Sequence, residues 1–499
     1  MPPPADADAA ADADRRADVA DRADALAAAP LLNCLLREVA EPHPDLPHTH
    51  RLPSGRLLRV RGERRPADPE IHADGRRHRV GHPELVKLVA DELRLHTGLD
   101  NHELPAEMAD SRDAVAALLT AREHTAPPAD PYLLSEQSLV TGHPHHPAPK
   151  ARGGGPAAAW LPYAPEAHAR FPLVLLGLRE DTVVEDGDPS ALDTLGEAPP
   201  GYRLLPAHPW QLDLVDLAEP FADGRLIRLG TTGFTTWPTA AIRTVYAPGD
   251  DLFLKFSLDV RITNDIRRLW KHDLLRLRAT DEAVVRAFAT GPGAWLSDRG
   301  YRTADFAFEE LAVLVRDGLR GHLGPDETPL LAAGLVEGFP GSPLAAAEAP
   351  AAWWDAYLDA VVPPVLTAFA DHGVVLEAHL QNTLVAVAPD GTPVRALFRD
   401  AEGVKLPADA DRAAGWERLV YCLVVNHLWE VGAALAEHRP GFDPWPAVRR
   451  ALAAHPLPEI PALLSAPTLP GKTNLLLRWT AADGAATRYQ PLPNPLARP

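Results

Sequence analysis

A short stretch of the chain carries polar side chains of the types that bind metal ions and anions. It contains Glu377, His379, Gln381 and Asn382. An apolar segment follows at 383–387, then the turn-forming sequence Pro-Asp-Gly-Thr, and a second apolar segment that ends in Arg399 and Asp400. Aspartate tolerates a tight turn and glycine supplies a positive φ, so the pattern predicts a β-hairpin. The hairpin would bring the polar stretch close to Arg399 and Asp400.

The residue types in this cluster suit a magnesium ion and an anionic substrate. Carboxylate and amide oxygens at one end of a hairpin can hold Mg²⁺, which prefers oxygen ligands and keeps waters and substrate phosphates around it. A histidine and an arginine beside them suit a phosphate or a carboxylate. The alternative is a polar hairpin whose side chains bond to one another. So many polar groups between two apolar strands are, however, costly to bury without a ligand.

A loop rich in histidine, proline and glycine at 141–155 is a second candidate for anion binding. Its prolines exclude a helix, and its glycines allow the backbone to approach a ligand closely. Lys150 and Arg152 offer cations to a phosphate or a carboxylate. The alternatives are a histidine-rich surface loop and an adventitious metal site. A zinc site is disfavoured because no cysteine or carboxylate has a suitable spacing.

A third group of cations is predicted on a strand and the helix after it. Residues 251–263 alternate between apolar and polar types, which predicts a half-buried strand with Lys255 on its polar face. Thr263-Asn264-Asp265 is a helix N-cap signature. Arg267 would then lie in the first helical turn, where free N–H groups favour anions. Arg243, Lys255 and Arg267 would then line one wall of an anion-binding site. The alternative is that Lys255 is exposed to solvent, as a lysine on a strand usually is.

The remaining pattern predicts helices and strands that position these groups. Helices are predicted at 31–39, 83–95, 111–124, 304–319, 351–371 and 413–438, and strands at 51–62, 70–80, 171–178 and 475–479. The helix at 351–371 is expected to kink or break at Pro363-Pro364. The long apolar helix at 413–438 is expected to pack beneath the hairpin.

The composition limits the class of protein. With 499 residues the chain can bury a large core and is expected to form two or three domains. A formal charge of -19 argues against a general nucleic-acid or anionic-membrane binder. The 2 cysteines, Cys34 and Cys422, provide no disulfide framework and fit a reducing cytoplasm.

Two further segments bear on targeting. Residues 1–30 are rich in alanine and aspartate and lack the apolar core of a signal peptide, so they are expected to be a disordered or loosely helical tail. No uninterrupted apolar run is long enough to span a bilayer. The segment at 419–435 comes closest, but it contains Asn426, His427 and Glu430, which favours a buried helix.

Six motifs in a fixed order resemble those of the NRPS-independent siderophore (NIS) synthetases, the IucA/IucC-like family. They are His-Pro…Lys-x-Arg-x-Gly at 143–154, His-Pro-Trp-Gln at 208–211, Pro-Thr-x-x-x-Arg-Thr at 238–244, Lys…Ile-Thr-Asn-x-x-Arg at 255–267, Glu-x-His-x-Gln-Asn at 377–382 and Arg-Asp at 399–400. Each motif alone is weak, but their joint order is specific. The resemblance covers residues 141–472.

The resemblance implies an enzyme that uses ATP and Mg²⁺ to adenylate a carboxylic acid, with citrate or a related polycarboxylate expected. The acyl group would pass to an amine or a hydroxyl, with release of AMP and pyrophosphate. The implied fold is α+β, a cupped hand of thumb, fingers and kinase-like palm. The implied assembly is a cytoplasmic homodimer without nucleic-acid or membrane partners. We therefore expect a thumb-like domain at 31–170, a fingers-like domain at 171–345 and a palm-like domain at 346–499.

The resemblance also implies roles for individual residues. ATP would be bound by His145, Lys150, Arg152, Arg243, Lys255, Gln381 and Asp400. The substrate carboxylate would be bound by Thr263, Asn264, Arg267 and His379. Magnesium would be bound by Glu377, Asn382 and Asp400. The catalytic residues would be Arg267, His379 and Lys255.

One position departs from the family pattern, and two rival functions stay open. The family has Pro-Thr-Ser-Ser-x-Arg where this chain has Ala240 and Ala241, so the hydroxyl that would bond a phosphate is absent at Ala241.

The first rival is a small-molecule phosphotransferase, because the palm motif resembles that of aminoglycoside kinases. Gln381 stands where those kinases carry a catalytic aspartate, which favours adenylation. The second rival, an inactive siderophore-binding scaffold, is disfavoured by the intact set of candidate catalytic residues.

Overall fold

The computed structural model describes residues 5–73, 75–263, 265–482 and 489–497 and has a mixed fold of helices and sheets. Its α-helices are α1 (Ala5–Glu38), α2 (His82–Thr97), α3 (Glu103–Arg122), α4 (Pro131–Glu136), α5 (Ala157–Trp160), α6 (Pro209–Leu214), α7 (Ala218–Ala222), α8 (Lys271–Phe288), α9 (Ala332–Glu337), α10 (Pro343–Ala346), α11 (Pro350–His372), α12 (Arg412–Leu419), α13 (Trp429–His438), α14 (Trp445–Ala453), α15 (Ile460–Ser465) and α16 (Asn474–Trp479). A π-helix, Val420–Leu428, joins α12 to α13.

The strands form several separate sheets. They are β1 (Glu41–Pro42), β2 (Thr49–Arg51), β3 (Leu57–Arg61), β4 (Ala67–Ala73), β5 (Arg76–Arg79), β6 (Val174–Arg179), β7 (Val183–Gly187), β8 (Tyr202–Ala207), β9 (Leu226–Thr231), β10 (Trp237–Pro238), β11 (Thr244–Ala247), β12 (Leu252–Phe256), β13 (Leu258–Ile262), β14 (Asp265–Arg267), β15 (Ala294–Trp295), β16 (Asp298–Ala304), β17 (Val313–Asp317), β18 (Thr328–Leu331), β19 (Thr383–Val387), β20 (Pro393–Phe398), β21 (Thr468–Lys472) and β22 (Tyr489–Pro493).

The N-terminal part packs α1, α2 and α3 with the antiparallel sheet β1-β2-β3-β4-β5. Of the two alternatives for residues 1–30, a disordered or a loosely helical tail, the part that the structure describes is helical, because α1 begins at Ala5. Alanine has the highest helix propensity. Val19 and Ala23 are also buried against Val115 of α3, so tertiary packing stabilises a segment that looks too polar to fold alone.

The central part contains a six-stranded sheet in the order β10-β11-β12-β17-β16-β7. The three-stranded sheet β8-β6-β9 shares an apolar core with it. Every residue of β12 is buried, so Lys255 is 2% exposed and does not lie on a solvated face. The helix predicted at 304–319 is wrong. The apolar run Val313–Asp317 forms β17 instead, because a short run fits either structure until pairing with β12 and β16 decides between them.

The long strand predicted at 251–263 is divided at Ser257 into β12 and β13. The next predicted element, a helix containing Arg267, is also wrong. β13 and β14 form a hairpin, and the following helix begins only at Lys271. Thr263 has a left-handed φ of 59° in the connection, and Asn264 lies outside the described residues. Threonine, asparagine and aspartate favour turns as well as helix caps, which explains the error.

The predicted hairpin is confirmed as β19 and β20, with Thr383 opposite Phe398. It lies inside a four-stranded sheet in the order β15-β20-β19-β18. β15 and β18 precede residue 345 in the chain, so this sheet crosses the predicted boundary between fingers and palm. The backbone N–H of Arg399 donates to the carbonyl of Asn382 at 3.1 Å, which brings the two polar ends of the hairpin together as expected.

Two helical stretches share one apolar core with this sheet. α11 runs through Pro363-Pro364 without the predicted break, because most of its surface is buried, with contacts to α8, α14 and β20. The helical stretch Arg412–His438 is long and apolar enough to cross a membrane by length and composition. Its apolar window is 78% buried within the fold, which agrees with the prediction of a buried helix.

The strand predicted at 475–479 is wrong, because this segment forms α16. The carboxylate of Glu38 accepts the backbone N–H groups of Leu475 and Leu476 at 3.0 and 2.8 Å and so caps the helix. Leu475 and Trp479, one turn apart, pack into the N-terminal core. The helix therefore depends on a partner from the opposite end of the chain.

Candidate active site

A cavity of about 350 Å³ collects most of the predicted site residues. Its lining includes Lys150, Arg152, Arg243, Lys255, Thr263, Arg267, Glu377, His379, Gln381, Asn382 and Asp400. Asn264 lies outside the residues that the structure describes. Motifs that are distant in sequence thus meet at one place.

Lys255 is the centre of a charge network in this cavity. Its Nζ lies 2.5 Å from Asp400 Oδ1 and 2.7 Å from Glu402 Oε2. Arg243 donates to the same Glu402 oxygen at 3.0 Å, and Arg316 donates to Asp400 Oδ1 at 3.2 Å. The cations and carboxylates compensate one another, so the cluster can exist without a ligand and can exchange partners with an anion.

Both carboxylates of the network are anionic at neutral pH. Desolvation would raise the pKa of Asp400, but Lys255 and Arg316 outweigh it and hold this pKa well below its usual range. Desolvation would likewise raise the pKa of Glu402, and Lys255 and Arg243 lower it below the ordinary value. Asp400 also has a φ of 84°, a conformation that is uncommon outside glycine and is concentrated at functional sites.

Arg267 presents its guanidinium from strand β14. It donates to the carbonyl of Ile262 and to Oγ1 of Thr263, each at 2.7 Å. Desolvation and the neighbouring Arg243 lower the pKa of Arg267 to about 10. Both contacts are to neutral groups, so the charge of Arg267 is available to an anionic ligand in the cavity.

His379 lies beside two polar side chains. Its Nε2 is 4.0 Å from Glu377 Oε2 and 3.4 Å from Asn382 Nδ2. Desolvation lowers the pKa of His379, so the imidazole is neutral at pH 7 and can accept a proton. Glu377 forms an ion pair with Arg418 of α12, which holds the carboxylate at the cavity wall.

Lys150 and Arg152 of the His-Pro loop are buried and paired with Glu166. Lys150 forms an ion pair with Glu166 Oε1, and Arg152 NH2 lies 3.1 Å from the same oxygen. Burial would raise the pKa of Glu166, but the two cations lower it to about 2. Burial lowers the pKa of Lys150. The structure therefore brings both predicted cations into the cavity wall, together with a carboxylate that the sequence did not indicate.

His145, predicted to bind ATP, does not line the cavity. Its Nε2 lies 2.9 Å from Glu430 Oε1 and 2.9 Å from Arg37 NH2. These contacts tie the His-Pro loop to α13 and α1. The physical reason is that the prolines fix the loop backbone, so neighbouring histidines cannot all face the same way. His143 and His146 line the cavity instead.

Several residues of the site were missed from the sequence. They are Glu136, Glu166, Arg316, Glu402 and Arg418. Glu402 stands two residues after Asp400, and that proximity could have identified it. The others lie on separate elements without a local pattern. Lys472, at the end of β21, also lines the cavity, with Arg418 and Tyr421.

The carboxylates that line the cavity are the candidate ligands for magnesium. Among the described residues no group of three or more His, Cys, Asp or Glu side chains could hold a metal ion alone. Lys255 and Arg316 both contact Oδ1 of Asp400, and Glu377 is already paired with Arg418. An ion held by one or two carboxylates and by substrate phosphates fits this arrangement, because magnesium is commonly bound in that way.

Comparison with known proteins agrees with these observations. Residues 131–337 match the model of the IucA / IucC family, and residues 351–487 match a model described as ferric iron reductase FhuF-like transporter. The chain is 29% identical over 438 residues to L-2,3-diaminopropanoate–citrate ligase of Staphylococcus aureus, covering 74% of this chain and 75% of the ligase. It is 31% identical to the rhizobactin siderophore biosynthesis protein RhbC of Rhizobium meliloti, covering 54% of each.

Solved structures show the same fold. ATP-bound aerobactin synthetase IucA from Klebsiella pneumoniae superposes with a TM-score of 0.79 at 23% identity, covering 94% of this chain and 99% of that chain. The petrobactin biosynthesis protein AsbB of Bacillus anthracis gives a TM-score of 0.79 at 16% identity and 96% coverage of both chains. By its ordered motifs, its relatives and its fold, the chain is similar to the siderophore synthetases of the IucA/IucC family, whose model matches residues 131–337.

Proposed function

We propose that this protein is an ATP-dependent siderophore synthetase that adenylates citrate or a related polycarboxylate and condenses it with an amine or a hydroxyl. One observation supports this most directly. The Lys255–Asp400–Glu402–Arg243 network, which suits the phosphates of ATP, shares a cavity with Arg267, which suits a carboxylate. Adenylation needs these two anions side by side.

In the first step, a carboxylate oxygen of the acid attacks the α-phosphorus of ATP and displaces pyrophosphate. Two anions approach each other and negative charge accumulates on phosphate oxygens. Lys255 and Arg243 would hold the α- and β-phosphates, and Lys150 and Arg152 would close over them. Cations placed before the reaction stabilise this charge without reorganisation. Gln381 and Asp400 would complete the nucleotide site. Magnesium, when bound near Glu377, Asn382 and Asp400, would supply further charge neutralisation.

Arg267 would orient the attacking carboxylate with Thr263 and with Asn264. His379 would contact the same group and the reacting centre. In the second step, the acceptor nitrogen or oxygen attacks the acyl carbon, AMP leaves, and one proton is released. His379 is suited to accept that proton because desolvation keeps its imidazole neutral. Positioning supplies most of the remaining acceleration.

The names of relatives support citrate and an amine as the substrate pair. They include the diaminopropanoate–citrate ligase, a spermidine-citrate ligase of Bacillus anthracis and a D-ornithine–citrate ligase of Staphylococcus aureus. Arg418, Tyr421 and Lys472 line the same cavity and could bind the acceptor or further carboxylates of the acid. Which amine or hydroxyl is used follows from the shape of that part of the cavity.

We further propose the family's architecture for this chain. The thumb would comprise residues 31–170, the fingers 171–345 and the palm 346–499. The palm would be kinase-like, and the whole would form a cupped hand. The described sheet of β15, β20, β19 and β18 would then link fingers to palm. We also propose that the protein is cytoplasmic, which is consistent with its 2 buried free cysteines. As in the family, we propose that it forms a homodimer.

Pyrophosphate release tests the proposal. The protein is incubated with Mg-ATP and citrate, 2-oxoglutarate, succinate or a succinyl-hydroxamate, with and without hydroxylamine as surrogate acceptor. Citrate-dependent release of pyrophosphate and AMP is expected. Release only with the substituted acid would indicate a synthetase that acts later in assembly. Formation of ADP would instead support the phosphotransferase. Absence of pyrophosphate release with every acid would contradict adenylation.

A further inference from the structure

Glu136 closes a ring of hydrogen bonds around the loop that leads to Arg243. Its Oε2 accepts the backbone N–H of Ala240 at 2.9 Å, and its Oε1 accepts Arg399 NH1 at 2.6 Å. Arg399 also donates to the carbonyl of Gln381 at 2.8 Å, and the Gln381 side chain donates to the carbonyl of Ala240 at 3.3 Å. The ring joins helix α4, the loop before β11 and the turn before β19.

The ring is built from a buried ion pair. Glu136 is 0% exposed and Arg399 is 6% exposed. Burial would lower the pKa of Arg399, but Glu136 raises it, so the guanidinium remains charged. Tyr132 donates its hydroxyl to Glu136 Oε1 at 3.0 Å. Because a buried ion pair gives little net stability over apolar packing, its presence beside a cavity favours a role in fixing geometry.

The loop that the ring holds contains a strained residue. Ile242 has a φ of 60°, in the left-handed region that β-branched residues rarely adopt. Such a conformation persists only when surrounding contacts enforce it. The ring fixes the backbone at Ala240, two residues before Ile242 and three before Arg243. Displacement of that backbone would therefore move the Arg243 guanidinium, which contacts Glu402 at 3.0 Å.

The composition of the loop makes its backbone position more important. Ala240 and Ala241 line the cavity and carry no hydroxyl that could bond to a phosphate. The N–H of Ala240 already donates to Glu136, and the N–H groups of Ile242 and Arg243 donate to the carbonyls of Thr239 and Ala241, so the loop reaches a nucleotide chiefly through the Arg243 side chain. We propose that Glu136 is a positioning residue for nucleotide activation, acting through Ala240 and Arg399 to hold the Arg243 loop against the Gln381 turn. This inference rests on the proposed adenylation reaction.

The experiment compares Glu136→Gln with a matched control, Glu92→Gln. Glu92 is also 0% exposed, and it also accepts a backbone N–H, a hydroxyl and a guanidinium, from Ser54 and Arg56 at 2.6–2.8 Å. It lies in the N-terminal part and does not line the cavity. A third variant, Glu136→Asp, keeps the charge but shortens the side chain, so that it cannot reach Ala240 and Arg399 together.

We expect Glu136→Gln to lower kcat/KM for ATP in pyrophosphate release by about 100-fold, because a small displacement of catalytic groups has effects of that size. KM for the carboxylic acid should change less than kcat/KM for ATP, because Ile262 and Thr263 of its own hairpin hold the Arg267 guanidinium. Glu92→Gln should show unaltered kinetics per folded molecule. Equal kinetics in the two variants, after correction for the folded fraction, would overturn the proposal.

A second readout is independent of turnover. Hydrogen exchange of peptides covering 238–245 should accelerate in both Glu136 variants, while peptides of β17 keep the wild-type rate. If Glu136→Gln does not fold, the test rests on Glu136→Asp. Wild-type kinetics and wild-type hydrogen exchange of the 238–245 peptides in that variant would contradict the positioning role. If the wild-type protein releases no pyrophosphate, the proposed function fails, whereas unaltered loop exchange in the variants would defeat only the role of Glu136.

Discussion

The backbone N–H of Phe256 donates to the carbonyl of Arg243 at 2.9 Å, and this pairing sets Arg243 beside Lys255. Thr244 lies opposite Lys255 in the register of β11 and β12. Two cations from different motifs are thus placed by one strand pairing, and both contact Glu402 Oε2.

Replacing Lys255 with methionine should reduce citrate-dependent pyrophosphate release by about 1,000-fold, the size typical of losing a preorganised charge at the reacting phosphate. Asp400 and Glu402 would also lose the cation that they share. Lys87→Met, at an exposed position of α2, is the control. A Lys255→Met enzyme within about 10-fold of wild type would contradict the phosphate assignment.

Replacing Arg267 with alanine should raise KM for the carboxylic acid by about 100-fold or abolish acyl transfer, because a desolvated guanidinium partner of a carboxylate is lost. ATP affinity and the unfolding midpoint should change little. Arg268→Ala tests the next residue, whose guanidinium is paired with Asp259 at 2.5 Å and does not line the cavity. Normal turnover by Arg267→Ala would eliminate the carboxylate role.

Introducing serine at Ala241 should restore the hydroxyl that the family pattern carries. One such hydrogen bond corresponds to about 1 to 3 kcal/mol. KM for ATP should therefore fall by about 10-fold, with KM for the acid unchanged. Steady-state kinetics with varied Mg-ATP measures this effect. No change in either constant would show that the backbone already supplies the phosphate contact.

The ion pairs of Glu166 should make stability depend on acid pH. The folded-state pKa is about 2, below the ordinary 4.5, so the stabilisation is full above pH 4.5 and is lost as pH falls toward 2. The shift corresponds to about 3 kcal/mol at most. The free energies of unfolding of wild type and Glu166→Gln, measured with urea between pH 6 and 3, should converge as pH falls. A constant difference between them across this range would argue against the pairing.

Local chemistry and order in the sequence were enough to predict the hairpin and most of the site. The turn residues between β19 and β20 dictate a tight reversal, so Asp400 had to return to the polar stretch that begins at Glu377. The ordered motifs likewise indicated Lys255, Arg267 and His379. The hairpin follows from neighbours in sequence, and the three candidate residues follow from a pattern of residue types and line one cavity.

The structure alone decided which groups meet across distant segments. Glu166, Arg316 and Arg418 line the cavity, and Glu136 lies behind it against Arg399, because separate helices and strands pack together there. The same packing turned His145 toward Glu430 and gave α16 its cap from Glu38. Buried charges require partners, and the nearest partner in space is chosen by tertiary packing rather than by the local pattern of residues.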